Sequence, residues 1–451
     1  MAEVVTRLSR RIAFGLGAIL VLAACSLGGS SGNTSTQSTS DVTVWTAWGG
    51  AELKAFQDVL KPFEASTGIK VHVTTNRDST TQIANGIAAG TDLPDIAPAT
   101  SDPVQLKDWV SKGVIKTVET ALGDQMSAYL SNTYPGLVTP PAGTTGDDPY
   151  IGIIGGKHYY LMIKFQVKGL LWYNKHIYTG PAPKTFTDLL AIDPTQYGAQ
   201  KLFCAGVESG AASGWPASDA LDNIIMRQSG PDVYTKWIQG TQKWTSPEIK
   251  QGYQALLQEV SAANVYGGTN YVLATNFQKA GDPLFKASGS FKAGCLFLIQ
   301  ATFQPSFFSQ SYPSLQAGVD YDFFGHPSMG NSQFDGNYNG FYDNYAMYNN
   351  SPAARQLMQW MVTKDAQQIW ASSGVSLSSN KSTTYNDSVF KAAAQVVSSG
   401  TNMLITAGDY MPTDMRNAYW QSLLNVTSNP GSLNSELAHL DQVQAAAYQA
   451  S

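Results

Sequence analysis

An α/β protein of two doubly wound lobes is predicted by three observations. Residues 41–100 alternate strand-like and helix-like patterns. At 451 residues the chain is too long for one simple hydrophobic core. Its longest apolar run outside the N-terminal leader, "CLFLIQATF", is only of strand length.

The elements follow in order. "DVTVWTAWG" is extended, with β-branched and aromatic residues. "AELKAFQDVLKPFEASTG" spaces Leu53, Phe56, Val59, Leu60 and Phe63 on one helical face, and Gly68 ends it. "IKVHVTT" reads as a second strand, "STTQIANGIAAGT" as a helix, and "LPDIAPAT" as a third strand. This β-α-β-α-β order places ligands beyond the carboxyl ends of the strands, where Trp48, Gly49 and the 97–102 loop lie. Further on, "GLLWYNKHIY" reads as a strand turning into a helix. "PKTFTDLLAI" carries a Thr N-cap signal. "SPEIKQGYQALLQEVSAAN" and "SPAARQLMQWMVTKDAQQIWASSG" read as helices opened by Ser-Pro and closed by Asn or Gly.

The N-terminus reads as a targeting segment. Arg7, Arg10 and Arg11 precede the apolar stretch Ile12–Ala24, which matches a secretory leader. Leu22-Ala23-Ala24-Cys25 resembles a lipobox, which implies a lipidated Cys25 as the new N-terminus; a plain signal cut after Ala24 or an uncleaved anchor is the alternative. Residues 26–40 are uncharged and rich in Ser, Thr and Gly, the composition of a flexible tether. The expected division is therefore 1–24 leader, 25–40 linker, 41–165 first part of lobe 1, 166–340 first part of lobe 2, 341–375 return to lobe 1, and 376–451 a C-terminal helical part mainly of lobe 2. Chain crossings are expected near Phe165–Gly169 and Asn339–Asp343.

Charge and chemistry narrow the function. The formal net charge is −5, with no basic footprint for nucleic acid. Ten Trp and 22 Tyr beside little charge suit neutral, polar, ring-shaped ligands. In an exported chain the pair Cys204 and Cys295 reads as a disulfide, with two buried thiols as the alternative. No Walker, H-E-x-x-H or zinc spacing occurs, and the five His are scattered. No cofactor or metal is expected.

"VTVWTAWGGAELKAFQDVLKPFEASTGIKVHV", "LPDIA", "GLLWYNKHIY", "PKTFTDLL" and "SPAARQLMQWMVTKDAQQIWASSG" together resemble the extracellular solute-binding proteins of family 1. "CAGVESGAASGWPASDALDNIIMRQSGPDVYTKWIQG" and "GDYMPTDMRNAYW" resemble that family's α-glucoside-binding branch. The resemblance spans Val42 to about Trp420. It implies a periplasmic-binding-protein fold with a ligand cleft between the lobes. It also implies a non-enzymatic, monomeric sugar receptor that closes by a hinge and docks on the membrane permease of an ABC importer, lipid-anchored outside the cell membrane or in the periplasm. The chain departs from the branch in "LFLIQATF", where a His and an Arg are usual beside Gln300, and in "KFQVKG".

A sugar offers CH faces to aromatic rings and hydroxyls to amides and carboxylates. The candidate ligand residues are accordingly Trp48, Gly49, Asp102, Phe165, Gln166, Trp215, Gln300, Phe303, Tyr342, Asp343 and Asp409. Asp343 ranks first among the acids, because it follows a Gly-aromatic pair as in the branch. Trp45 alternates with Val42 and Val44 and reads as core, whereas Trp48 lies past the strand end and is expected to be exposed in an open cleft. Lys168 fits a position of the branch, with a structural ion pair as its alternative. The rival classes are an exported glycosidase, which needs only two suitably placed carboxylates, and an adhesive surface lipoprotein.

Overall fold

The computed structural model describes residues 41–76, 78–138, 147–400 and 402–448. The leader, Cys25 and the linker lie outside the described residues. Strands β1 (Asp41–Thr46), β2 (Lys70–Thr75) and β3 (Ile96–Pro98) pair in parallel with β1 in the middle. The helices Gly50–Thr67 and Ser79–Ala89 cross between them. The first helix buries Ala55, Phe56, Val59, Leu60 and Phe63, the face its 3.6-residue period dictates, and stops at Gly68 with φ 73°. Trp45 is half-buried on the outer face of β1 and packs on the edge of the core.

A small hairpin, β4 (Ile153–Ile154) and β5 (Lys157–His158), precedes β6 (Leu161–Val167) and β7 (Leu170–Asn174). Then come β8 (Ala199–Cys204), β9 (Ala293–Gln300), β10 (Tyr321–Gly325), β11 (Asn337–Met347), β12 (Leu377–Ser378) and β13 (Asn402–Ile405). Among the described residues the strands form two main sheets. The first runs β12-β6-β11-β3-β1-β2, with β13 alongside the start of β11; the second runs β10-β7-β9-β8. One core lies under the first sheet and reaches one face of the second, taking Leu170 and Trp172; a second core fills the other face with Leu171 and Tyr173. Burial on both faces explains why β7 reads as an unbroken apolar run.

The chain passes between the sheets where β6 ends and β7 begins, at Lys168–Gly169. Gly169 has φ +70°, and a Cβ there would lie 2.3 Å from Asn223 Nδ2, so neither the turn nor the space admits a side chain. The return runs through residues 326–336 between β10 and β11, so 339–343 lie already within the first sheet. A third passage joins β13 to the helices Ala407–Tyr410 and Thr413–Ser428. β12 pairs with β6, and the helix Ser388–Ser399 buries Val389, Phe390 and Ala393 in the first core. The second-lobe share of the C-terminal part thus begins near Ala407.

Two local readings differ from the expectation. "SPAARQLMQWMVTKDAQQIWASSG" forms two helices, Pro352–Met361 and Lys364–Ser372. Thr363 accepts from Ala366 N and caps the second, an offer that outcompetes continuation. After β7 the chain makes a turn instead of a helix: Asn174 Oδ1 accepts from His176 N at 2.9 Å, and Gly-Pro residues follow. The Thr185 cap is present as a full capping box with Asp188, both bonds at 3.0 Å. None of the helices among the described residues is long and apolar enough to cross a membrane.

Cys204 and Cys295 sit on the adjacent parallel strands β8 and β9 and are disulfide-bonded, with Cα atoms 5.5 Å apart and a sequence separation of 91. In the chain-entropy account, a loop of that length is worth about 4–5 kcal/mol. The Cys204→Ser, Cys295→Ser double variant should therefore melt well below the parent in urea, and the parent should fall to the same midpoint when reduced.

Candidate functional site

Strands β6 and β11 are antiparallel neighbours, with Phe341 opposite Gln166, Tyr342 opposite Phe165 and Asp343 opposite Lys164. Side chains alternate on a strand, so Lys164, Gln166, Phe341 and Asp343 share one face while Phe165 and Tyr342 share the other. The first face, continued by Lys168, floors a cleft of about 560 Å³. Trp48 to Glu52, at the end of β1 and the start of the helix Gly50–Thr67, wall it from the first lobe; Trp215, Phe277, Phe303 and Phe307 wall it from the second; Asp409 and Trp420 complete it.

The floor is polar and highly buried. Lys164 Nζ donates to Asp343 Oδ2 at 2.6 Å and to Glu52 Oε1 at 2.9 Å, and lies 4.8 Å from the Trp48 ring centroid. Burial opposes its charge, but Asp343 and Glu52 outweigh burial and hold the ammonium above the ordinary lysine value. Trp48 Nε1 donates to Asp343 Oδ1 at 3.0 Å, so this carboxylate already carries two bonds that fix its orientation. Lys168 Nζ donates to Asp219 Oδ2 at 2.5 Å, has Asp409 Oδ2 at 3.9 Å, and lies 4.7 Å from the Trp215 ring. Burial likewise opposes the Lys168 charge, and Asp219 and Asp409 overcome it. Between the two lysines, Gln166 Oε1 accepts from Thr302 Oγ1 at 2.6 Å, while its Nε2 is buried with no protein acceptor. That donor is free for a bound molecule.

Of the residues singled out in the sequence, Trp48, Gly49, Gln166, Trp215, Phe303, Asp343 and Asp409 line the cleft together. Phe165 and Tyr342 point away from it and line a second cavity of about 520 Å³ behind the two strands. Gln300 ends β9, and its own Oε1 accepts from Ala301 N. Asp102 caps two helices at once. Its Oδ1 accepts from Val104 N and Gln105 N of the helix Pro103–Ser111, and its Oδ2 from Thr413 N and Oγ1 of the helix Thr413–Ser428. Each cap is worth about 0.5–2 kcal/mol, so Asp102→Ala should lose stability in denaturant melts on that scale or up to twice it. Trp48 is not exposed: it is 5% accessible, packed against Phe56, Tyr345 and Trp370 with ring centroids 5.1–5.3 Å away. Its position past the strand end turns the indole inward under the first helix.

Glu52, Lys164, Phe341 and Trp420 also line the cleft and were missed by reading the sequence. Strand alternation could have found two of them. Once Gln166 and Asp343 are taken as cleft residues, their i ± 2 neighbours Lys164 and Phe341 face the same way. Glu52 and Trp420 reach the site through helices distant in sequence, and no local pattern marks them.

A family model described as bacterial extracellular solute-binding protein matches residues 47–368. The Alpha-glucosides-binding periplasmic protein AglE of Rhizobium meliloti (strain 1021) is 26% identical over 408 residues, covering 87% of this chain and 84% of that one. The Osmoprotective compounds-binding protein GgtB of Synechocystis sp. (strain ATCC 27184 / PCC 6803 / Kazusa) is 23% identical, covering 90% and 92%. A solved structure named Chitin oligosaccharide binding protein superposes with a TM-score of 0.72 at 16% identity, covering 91% of this chain and 99% of that one. It shares the two-lobed fold.

Proposed function

The chain belongs to the bacterial extracellular solute-binding proteins, and from that premise we propose that it captures a sugar, an α-glucoside or another short oligosaccharide, and hands it to the membrane permease of an ABC importer. The observation that carries this reading is the cleft floor: indole and phenyl rings beside oriented carboxylates and an amide donor, all between two lobes joined by short crossings. Rings stack on the CH face of a pyranose, and the carboxylates accept from its hydroxyls. The relative named for α-glucosides supports a sugar ligand.

Capture works as a population shift. Contacts made by the first lobe through Trp48 and Asp343, and by the second through Trp215 and Phe303, are complete only when the lobes meet on the ligand, so sugar stabilises the closed form. The receptor is monomeric and tethered by a lipid on Cys25. A diacylglycerol mass on Cys25 in the membrane-extracted protein tests the anchor, and a Cys25→Ala protein that stays fully membrane-bound counts against it.

The protein binds without chemistry. Incubation with maltose, trehalose, sucrose and raffinose should raise the melting temperature for at least one of them while chromatography recovers the sugar intact. Release of monosaccharide would make it a glycosidase, and no shift with any sugar would remove the sugar reading.

A further inference from the structure

Strands β6 and β11 separate two cavities. Their face away from the cleft carries Phe165 and Tyr342 into the rear cavity of about 520 Å³, inside the range of roughly 300–1,000 Å³ usual for small-molecule sites. Tyr134 joins these two as a wall packed on the first core, and Tyr234 and Ile238 face them from the second. The described lining holds two carboxylates, Asp147 and Asp148, and no lysine, arginine or histidine. The cleft differs, because Asp343 and Asp409 there each face a lysine. One oxygen of each rear carboxylate is used locally: Asp148 Oδ1 accepts from Tyr150 N and Asp147 Oδ1 from Gly156 N, both at 3.1 Å. Asp148 is half-buried, and burial holds its carboxyl above the ordinary range against the opposing Tyr150 and Ile151 N–H groups. Tyr342 is 1% accessible, and its hydroxyl is buried with no protein partner among the described residues. Burial, and after it the Asp148 charge, push this phenol above its ordinary value, so the field of the carboxylate reaches the hydroxyl.

We infer that the rear cavity is a second ligand site, separate from the sugar cleft, for an organic ammonium with an apolar body. A cation beside Asp148 supplies the positive charge that the described lining lacks. An ammonium N–H also gives the unpartnered Tyr342 oxygen a donor. The rings of Tyr134, Phe165 and Tyr234 attract a cation at their faces and pack against its hydrocarbon. A ligand carboxylate or phosphate would meet like charge and no basic side chain. The two cavities share no lining residue, so this site stands or falls apart from sugar binding.

The test is calorimetric titration of the full chain at neutral pH with benzylamine, phenethylamine and cyclohexylamine. The comparison ligands are the matching neutral alcohols and phenylacetate. At least one amine should bind about tenfold or more tighter than its alcohol, and phenylacetate should not bind. Asp148→Asn keeps an acceptor for Tyr150 N, so it should melt near the parent while amine affinity falls about tenfold. Tyr342→Phe keeps the ring and removes the hydroxyl, and should lower amine affinity about two- to tenfold. Asp343→Asn, in the cleft, should leave amine affinity unchanged. No binding of any of the three amines, equal affinity for amine and alcohol, or full amine affinity in Asp148→Asn overturns the inference. A loss confined to Asp343→Asn overturns it too, because the amine would then lie in the cleft.

Discussion

Replacing Lys168 with methionine is expected to cost about 3–5 kcal/mol of folding stability at neutral pH, because it strands a buried carboxylate. Asp219 is only 4% accessible, and among the described residues its ion pair with Lys168 is the one charged contact within bonding distance. Burial pushes the Asp219 carboxyl up to about 7, with Lys168 pulling down and Asp409 pushing up. Without the lysine the carboxyl rises further. A carboxyl raised in the folded state contributes stability in acid and loses it as pH climbs through its folded value. Between about pH 4 and 7 both folded forms keep this carboxyl protonated and lose stability alike, so the deficit of Lys168→Met should be constant there and grow only above about pH 7, where the Asp219 of the parent ionises and that of the variant does not. Urea melts of parent and variant on either side of that value, at about pH 5.5 and about pH 9, read this directly. A deficit that does not change with pH would mean that Asp219 is relieved by some other partner.

Trp48→Ala should cost about 3–5 kcal/mol as well, the range for deleting a large core aromatic. The indole fills the space between Phe56, Tyr345 and Trp370, covers Lys164, and orients Asp343 through its N–H. Its loss opens a cavity and frees the carboxylate from one of its two bonds. Binding should weaken even at temperatures where the variant is fully folded, because Asp343 loses its fixed geometry. Trp48→Phe separates the two effects: it keeps most of the packing and removes the donor, so stability should recover more than affinity. Full recovery of both would reduce Trp48 to a packing residue.

The α/β alternation of residues 41–98 was legible because it rests on local signals: period-2 strand, 3.6-period helix, and a glycine stop at Gly68. The sheet order was not, since β6 and β11, whose partners such as Lys164 and Asp343 are 179 residues apart, are brought together only by tertiary packing. The same split holds in the site. Trp48, Gln166, Trp215, Phe303, Asp343 and Asp409 could be named from residue type and position at element ends. Phe165 and Tyr342 were named with their neighbours because the strand register, which decides the face, was not fixed locally. Asp102 has the chemistry of a sugar ligand but spends both oxygens on helix N-termini, a partnership with Thr413 invisible at a separation of 311 residues.

The most direct measurement of the central claim is a crystal structure of the full chain with the sugar that most raises its melting temperature. The glycan should lie between the lobes, stacked by Trp215, with hydroxyls donating to Asp343 and an oxygen accepting from Gln166 Nε2. A sugar bound elsewhere, with the cleft between Trp48 and Trp215 empty, would contradict it.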